Sequence, residues 1–133
     1  MEISCECGNI QVDWNTRLNK LLARRCGCSY CQSQCAEYVS DPNSTLKLKI
    51  LNPLLHNVVT HGSETSLFHE CINCGLIFVT SEIGGRTYGL LNLQALEPSD
   101  YSVDPISKDF STETLEQRLA RRQQNWCKFE SIL

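Results

Sequence analysis

No stretch of this 133-residue chain approaches the roughly 18 uninterrupted apolar residues that a membrane-crossing helix needs. The start, Met1-Glu2-Ile3-Ser4-Cys5, also lacks the basic residues and apolar core of a secretory leader. These two absences predict a soluble, cytoplasmic protein whose thiols stay reduced. Positive charge is not in excess: 12 Lys and Arg stand against 15 Asp and Glu, a net charge of −3. That balance gives no general attraction to nucleic acid or to an anionic membrane. Low-complexity segments and repeats of solenoid period are missing too, which excludes a stacked array. One domain is the default at this length, with a core modest enough for bound metal to matter.

What the chain has in quantity is cysteine, nine in all. An odd number leaves one thiol over in any closed disulfide framework. Seven of the nine fall into tight clusters: Cys5-Glu6-Cys7-Gly8, Cys26-Gly27-Cys28-Ser29-Tyr30-Cys31 and Cys71-Ile72-Asn73-Cys74-Gly75. Cysteines one or two residues apart do not easily close unstrained disulfides with each other, but their thiolates can share one metal ion at about 2.3 Å. Cys7-Gly8 and Cys74-Gly75 echo each other, each ending a cysteine turn with the residue that tolerates positive φ and leading into a strand. Partnership of the two turns would supply four sulfurs from Cys5, Cys7, Cys71 and Cys74, a closed tetrahedral structural zinc. Cys26, Cys28 and Cys31 then remain as three ligands. Three protein ligands with an open position is how catalytic zinc is held. Cys35, His56, His61 or His69 could instead close that second site and make it structural.

Ile10, Val12 and Trp14 alternate with polar neighbours, as do Leu46, Leu48 and Ile50 with Lys47 and Lys49, the period of half-buried strands. Further β-rich runs at 57–60, 66–69, 76–80 and 87–93 lie between turn signals. Residues 1–98 therefore read as a mainly β zinc-binding domain. Residues 99–133 read as a C-terminal extension packed on the same domain. In it, Ser111 or Thr112 caps a helix over about 112–129, with Leu115, Leu119, Trp126 and Phe129 at near-helical spacing and Cys127 an ordinary helix position.

The order Cys-x-Cys-Gly, Cys-x-Cys-x-x-Cys and Phe-x-x-Cys-x-x-Cys-Gly before an apolar strand resembles the glutathione-dependent formaldehyde-activating enzyme family, which includes the CENP-V-type proteins. The similarity covers roughly residues 3–97, including Gly89-Leu90-Leu91-Asn92-Leu93-Gln94-Ala95-Leu96. The resemblance implies an Mss4-like β-tent of antiparallel strands holding two zinc ions. Cys5, Cys7, Cys71 and Cys74 would hold the structural ion, and Cys26, Cys28 and Cys31 the functional, catalytic one. It also implies a carbon–sulfur lyase activity that combines a small thiol such as glutathione with formaldehyde. A non-enzymatic zinc-stabilised protein-binding module is the alternative within the same architecture.

Several basic residues have two readings. Arg24, Arg25 and Arg86 could receive the carboxylates of a glutathione-like ligand or be solvated. Arg118, Arg121, Arg122 and Lys128 form a basic surface near Trp126, read first as a solvated helix face with the aromatic docked on the β core. His69 shares a strand face with Cys71 and reads as a hydrogen-bonder rather than a ligand. The apolar stripe of the helix leaves a homodimer open.

Overall fold

The computed structural model describes residues 2–17, 20–26, 29–60, 65–97, 102–108 and 112–132. In chain order the strands are β1 (Glu2–Cys5), β2 (Ile10–Trp14), β3 (Lys20–Cys26), β4 (Tyr38–Val39), β5 (Thr45–Ile50), β6 (His56–Thr60), β7 (Leu67–Cys71), β8 (Gly75–Ile83), β9 (Arg86–Asn92), β10 (Leu96–Glu97), β11 (Ser102–Lys108) and β12 (Cys127–Ile132). A short helix, α1 (Ser29–Ser33), follows β3, and a longer one, α2 (Leu115–Asn125), precedes β12. Among the described residues no helix is long and apolar enough to cross a membrane.

The twelve strands join one mainly β sheet in the order β10-β1-β2-β5-β12-β9-β4-β3-β11, with β8, β7 and β6 added in turn beyond β9. Tyr88 and Gly89 of β9 pair with β12, Leu91 and Asn92 of the same strand pair with β4, and its other edge takes β8. The expected alternation holds in β2, where Ile10, Val12 and Trp14 are buried, and in β5, where Leu46 and Leu48 are buried between exposed lysines. The hairpin β8–β9 differs. Leu76, Ile77, Phe78 and Val79 are all buried, because a large cluster around Trp14 and Phe78 covers one part of it and a smaller one around Leu90 and Trp126 another. A strand covered on both faces reads as a continuous apolar run.

Three expectations are corrected. The sheet is mixed rather than antiparallel: β3 runs parallel to β11 and β5 parallel to β12. β11 carries Pro105 and, among the described residues, pairs with β3 alone, an edge position where a missing N–H is tolerated. The helix spans Leu115–Asn125, not 112–129, and its cap is Thr114 rather than Ser111 or Thr112. Thr114 Oγ1 accepts from the Gln117 amide at 3.1 Å while Gln117 Oε1 accepts from the Thr114 amide at 3.0 Å, a reciprocal box that fixes the start. At the other end Trp126 is extended at φ −80°, ψ 153°. Beyond it Cys127 is buried, Lys128 exposed, Phe129 half-buried and Glu130 exposed, a two-residue period that fits the slot between β5 and β9. Cys127 is therefore a strand residue of the core. Its sulfur accepts from the Asp41 amide at 3.3 Å and lies 3.4 Å from Ser44 Oγ, which also accepts from Trp14 Nε1 at 2.7 Å.

Candidate metal centre and arginine cleft

β1 ends at Cys5 and turns back into β2 through Gly8 at φ +80°, with the Gly8 amide donating to the Cys5 carbonyl at 2.9 Å. β7 ends at Cys71 and turns into β8 through Gly75 at φ +88°, with the Cys74 amide donating to the Cys71 carbonyl at 3.2 Å. Glycine reaches this conformation without the Cβ penalty other residues bear. The loop after β5 fastens both turns. Leu51 N–H donates to the Asn9 carbonyl at 2.9 Å and Asn52 N–H to Asn9 Oδ1 at 2.7 Å, while Ile72 N–H donates to the Leu55 carbonyl at 2.8 Å.

The result is that Cys5, Cys7, Cys71 and Cys74 have sulfurs all within 4.8 Å of one another. Cys5 and Cys7 Sγ are 3.7 Å apart, and Cys7 and Cys71 Sγ 3.5 Å. A tetrahedron with about 2.3 Å metal–sulfur bonds has edges of about 3.8 Å, so the donor set fits a four-thiolate metal site. Cys5 and Cys71 are buried and Cys7 faces solvent. The Cys7 amide donates to Cys74 Sγ and the Ile10 amide to Cys5 Sγ, each at 3.4 Å, which favours charge on sulfur. The thiols differ in proton affinity. The Asn9 amide holds Cys7 down to about 7, while burial raises Cys71 and pushes Cys74 up to about 12. Four adjacent thiols cannot all ionise without a cation between them. A divalent ion would compensate that charge.

The second cysteine cluster is only partly described. Cys26 ends β3, paired in register with Lys108, and Cys31 is buried in α1. Cys28, the side chain of Cys26 and the alternative ligand His61 lie outside the described residues. Cys31 Sγ sits 2.9 Å from Tyr38 Oη. Cys35 is exposed and takes a positive φ of 52° where the chain leaves α1. His69 is engaged through both ring nitrogens, to His56 at 2.9 Å and Thr80 Oγ1 at 2.8 Å, and stacks on Phe78 at 4.0 Å. It is a structural hydrogen-bonder. Burial, with His56 beside it, holds its pKa down at about 4. Arg86 is exposed at the start of β9.

Cys31 and Tyr38 also line a cleft of about 110 Å³ between α2 and β3. Arg24 and Arg25 reach it from β3, and Arg121, Arg122 and Trp126 from the end of α2. Arg25 pairs with Glu37 at 2.8 Å, and Arg121 forks onto Glu113 at 2.9 and 3.1 Å. Arg24 donates to Ser40 Oγ. Arg122, expected on a solvated face, is buried, with Nη1 donating to Thr65 Oγ1 at 2.9 Å, Thr65 O at 3.2 Å and Ser81 Oγ at 3.2 Å. Its guanidinium carbon lies 5.1 Å from the centroid of the Trp126 ring, a cation–π arrangement. Burial, then repulsion from Arg121 and Arg118, lowers Arg122 to about 10, and burial with Arg121 lowers Arg24.

No family model matches the chain, and no curated protein does. A crystal structure of a Rhodobacter sphaeroides protein is similar at 19% identity, covering 74% of this chain and 90% of that one, with a TM-score of 0.49.

The cysteine turns were visible in the sequence, but the cleft was not. Arg122 and Trp126 stand four residues apart, the spacing at which a helical cation reaches a following aromatic, and that spacing is the local signal that Arg122 turns inward. Tyr38 has no such signal, since it meets Cys31 only through the α1–β4 turn.

Proposed function

We propose that the protein is a zinc-stabilised carbon–sulfur lyase of the glutathione-dependent formaldehyde-activating kind, acting on an adduct of a small thiol with an aldehyde. The observation that carries this reading is the position of Cys31, whose thiol lines an arginine-bearing cleft while four other cysteines gather separately. Cys5, Cys7, Cys71 and Cys74 would hold a structural zinc and Cys26, Cys28 and Cys31 a second ion within an Mss4-like fold. Zinc bound there would supply Lewis acidity and lower the pKa of an incoming thiol. In the reaction a C–S bond forms between thiol sulfur and the carbonyl carbon, and the thiol proton passes to the carbonyl oxygen. The chain's own residues would orient the reactants: Tyr38 steadies Cys31, and the arginines take carboxylates of a glutathione-like thiol.

The non-enzymatic binding module has one observation in its favour. Leu51, Leu54, Val58, Leu67 and Ile72 are exposed on the β6–β7 hairpin and the turns beside it, and among the described residues β6 pairs with β7 alone.

Cobalt-substituted protein distinguishes the two. Titrated with glutathione and simpler thiols, it should change its ligand-to-metal absorption, and Cys31→Ser should abolish that change with the four-cysteine site still filled. Formaldehyde and glutathione should then combine faster than without protein. Absence of both responses rejects the lyase and leaves the binding module.

A further inference from the structure

We propose that the cleft between α2 and β3 binds the carboxylate of a small organic acid through Arg122 and Arg24, with Trp126, Phe68 and Leu90 as its apolar wall. This deepens the lyase reading by naming the substrate's anionic end, yet it rests on residues that do not ligate metal.

Unused donors are the first argument. Among the described residues, Arg122 is 7% exposed and makes its hydrogen bonds through Nη1, and its buried Nε, on the other edge of the guanidinium fork, has no acceptor. Trp126 Nε1 is likewise buried without a partner. Buried N–H groups are almost always paired, and an unmade bond to a charged group costs about 1–3 kcal/mol or more. Both donors belong to residues that line one cleft, and a ligand that settles there with a small side-chain adjustment would bring the acceptor they lack.

Charge is the second argument. Arg24, Arg25, Arg121 and Arg122 line the cleft, with Arg118 beside them on α2. Among the described residues, the carboxylates bonded to these five are Glu37 and Glu113, on Arg25 and on Arg118 and Arg121. Among the described residues, Arg24 and Arg122 thus hold buried or half-buried positive charge against hydroxyls, a carbonyl and the Trp126 ring, with no carboxylate. Such charge is costly until an anion compensates it. The depressed proton affinity of both guanidinia reflects the same burial, then repulsion from Arg121.

Shape is the third. A guanidinium edge matches a carboxylate with two parallel bonds. The remaining wall, with Tyr38, Val79 and Leu90 beside Phe68 and Trp126, suits carbon rather than a fully hydrated inorganic ion. At about 110 Å³ the cleft admits a carboxylate with a short chain or the terminal group of a longer ligand.

The test titrates metal-loaded, full-length protein with propionate and phenylacetate, with propionamide as the neutral counterpart and inorganic phosphate as the other anion, read by calorimetry and the Arg Nε–H resonances. Both acids should bind saturably and shift one buried Arg Nε–H, propionamide should not bind, and phosphate should bind more weakly than either acid. Arg24→Gln and Arg122→Lys should each weaken acid binding about tenfold or more, the scale of a lost charged hydrogen bond. If Arg122→Lys fails to fold, Arg24→Gln decides alone. Equal affinity in Arg24→Gln, absent saturation at tens of millimolar acid, or tighter binding of phosphate than of the acids overturns the proposal. Cys31→Ser separates the two readings. Acid binding without any thiol response upholds the cleft and rejects the lyase, whereas a thiol response without acid binding rejects the cleft alone.

Discussion

Removing the ion expected between Cys5, Cys7, Cys71 and Cys74 should cost the protein a large share of its stability. The magnitude follows from the topology. Cys7 and Cys71 are 64 residues apart in sequence with sulfurs 3.5 Å apart, so one ion bridging them would act as a cross-link over a long loop. By the chain-entropy relation for cross-links, closing a loop of that length is worth about 4 kcal/mol. A domain of this size has about 5–15 kcal/mol in total. Urea unfolding followed by tryptophan fluorescence, with Trp14 and Trp126 both buried, should therefore move to markedly lower denaturant after chelation or in Cys71→Ser. Cys35→Ser, at an exposed thiol, serves as the control and should shift stability by less than about 0.5 kcal/mol. The reasoning is refuted if Cys71→Ser retains the same metal stoichiometry as the parent, or if chelation changes stability by less than about 1 kcal/mol.

Gly75→Ala should destabilise by about 1–3 kcal/mol and weaken metal retention, because its φ is +88° and a Cβ there would stand 2.9 Å from Gln34 Oε1, which accepts from the Leu76 amide; melting curves with metal analysis check this. Trp126→Ala should cost about 3–5 kcal/mol through the cavity left in the smaller core cluster, measured by denaturant titration. The His69 pKa near 4 lies below the unfolded value of about 6.5, so neutral His69 contributes stability above pH about 6.5 that is lost as pH falls towards 4, about 3 kcal/mol in all. His69→Gln should flatten that limb of the stability profile, and an NMR titration placing His69 near 6.5 would contradict the assignment. In mass-mapped alkylation of native protein, exposed Cys35 should react while Cys127, buried and with its pKa raised by that burial, stays unmodified until the chain unfolds.

Local chemistry in this chain was legible where it is periodic or paired. β2 and β5 declare themselves by alternation, and the two Cys-Gly turns by their shared pattern, because a strand's face and a turn's φ are set by neighbouring residues. β12 gives no such notice. Its partners, Leu46 and Tyr88, lie far back in sequence, and the Leu-Glu-Gln-Arg texture of α2 masks the point where the helix stops at an extended Trp126. β3 escapes for a related reason. Leu21-Leu22-Ala23-Arg24-Arg25 shows no two-residue period, since Leu21 and Ala23 are buried yet the run between them is apolar as well. Arg122 was misread by composition alone. A charged helical residue is usually solvated, and the spacing to Trp126 that hints otherwise gains its meaning only where α2 meets Thr65 and Ser81.

The insertion of β12 between β5 and β9 makes a segment synthesised after every other described strand the keystone of the sheet. During translation β5 and β9 would each have an unpaired edge until Cys127–Ile132 leaves the ribosome, so the nascent chain carries sticky backbone from the emergence of β5 to that of β12. The first cysteine turn, by contrast, is made before either of these strands and must wait for Cys71 and Cys74. A chain cut just before Cys127 would thus retain every cysteine of the four-sulfur cluster and yet present open edges to other nascent chains, so that cut would show itself as aggregation of metal-bound protein rather than as loss of metal.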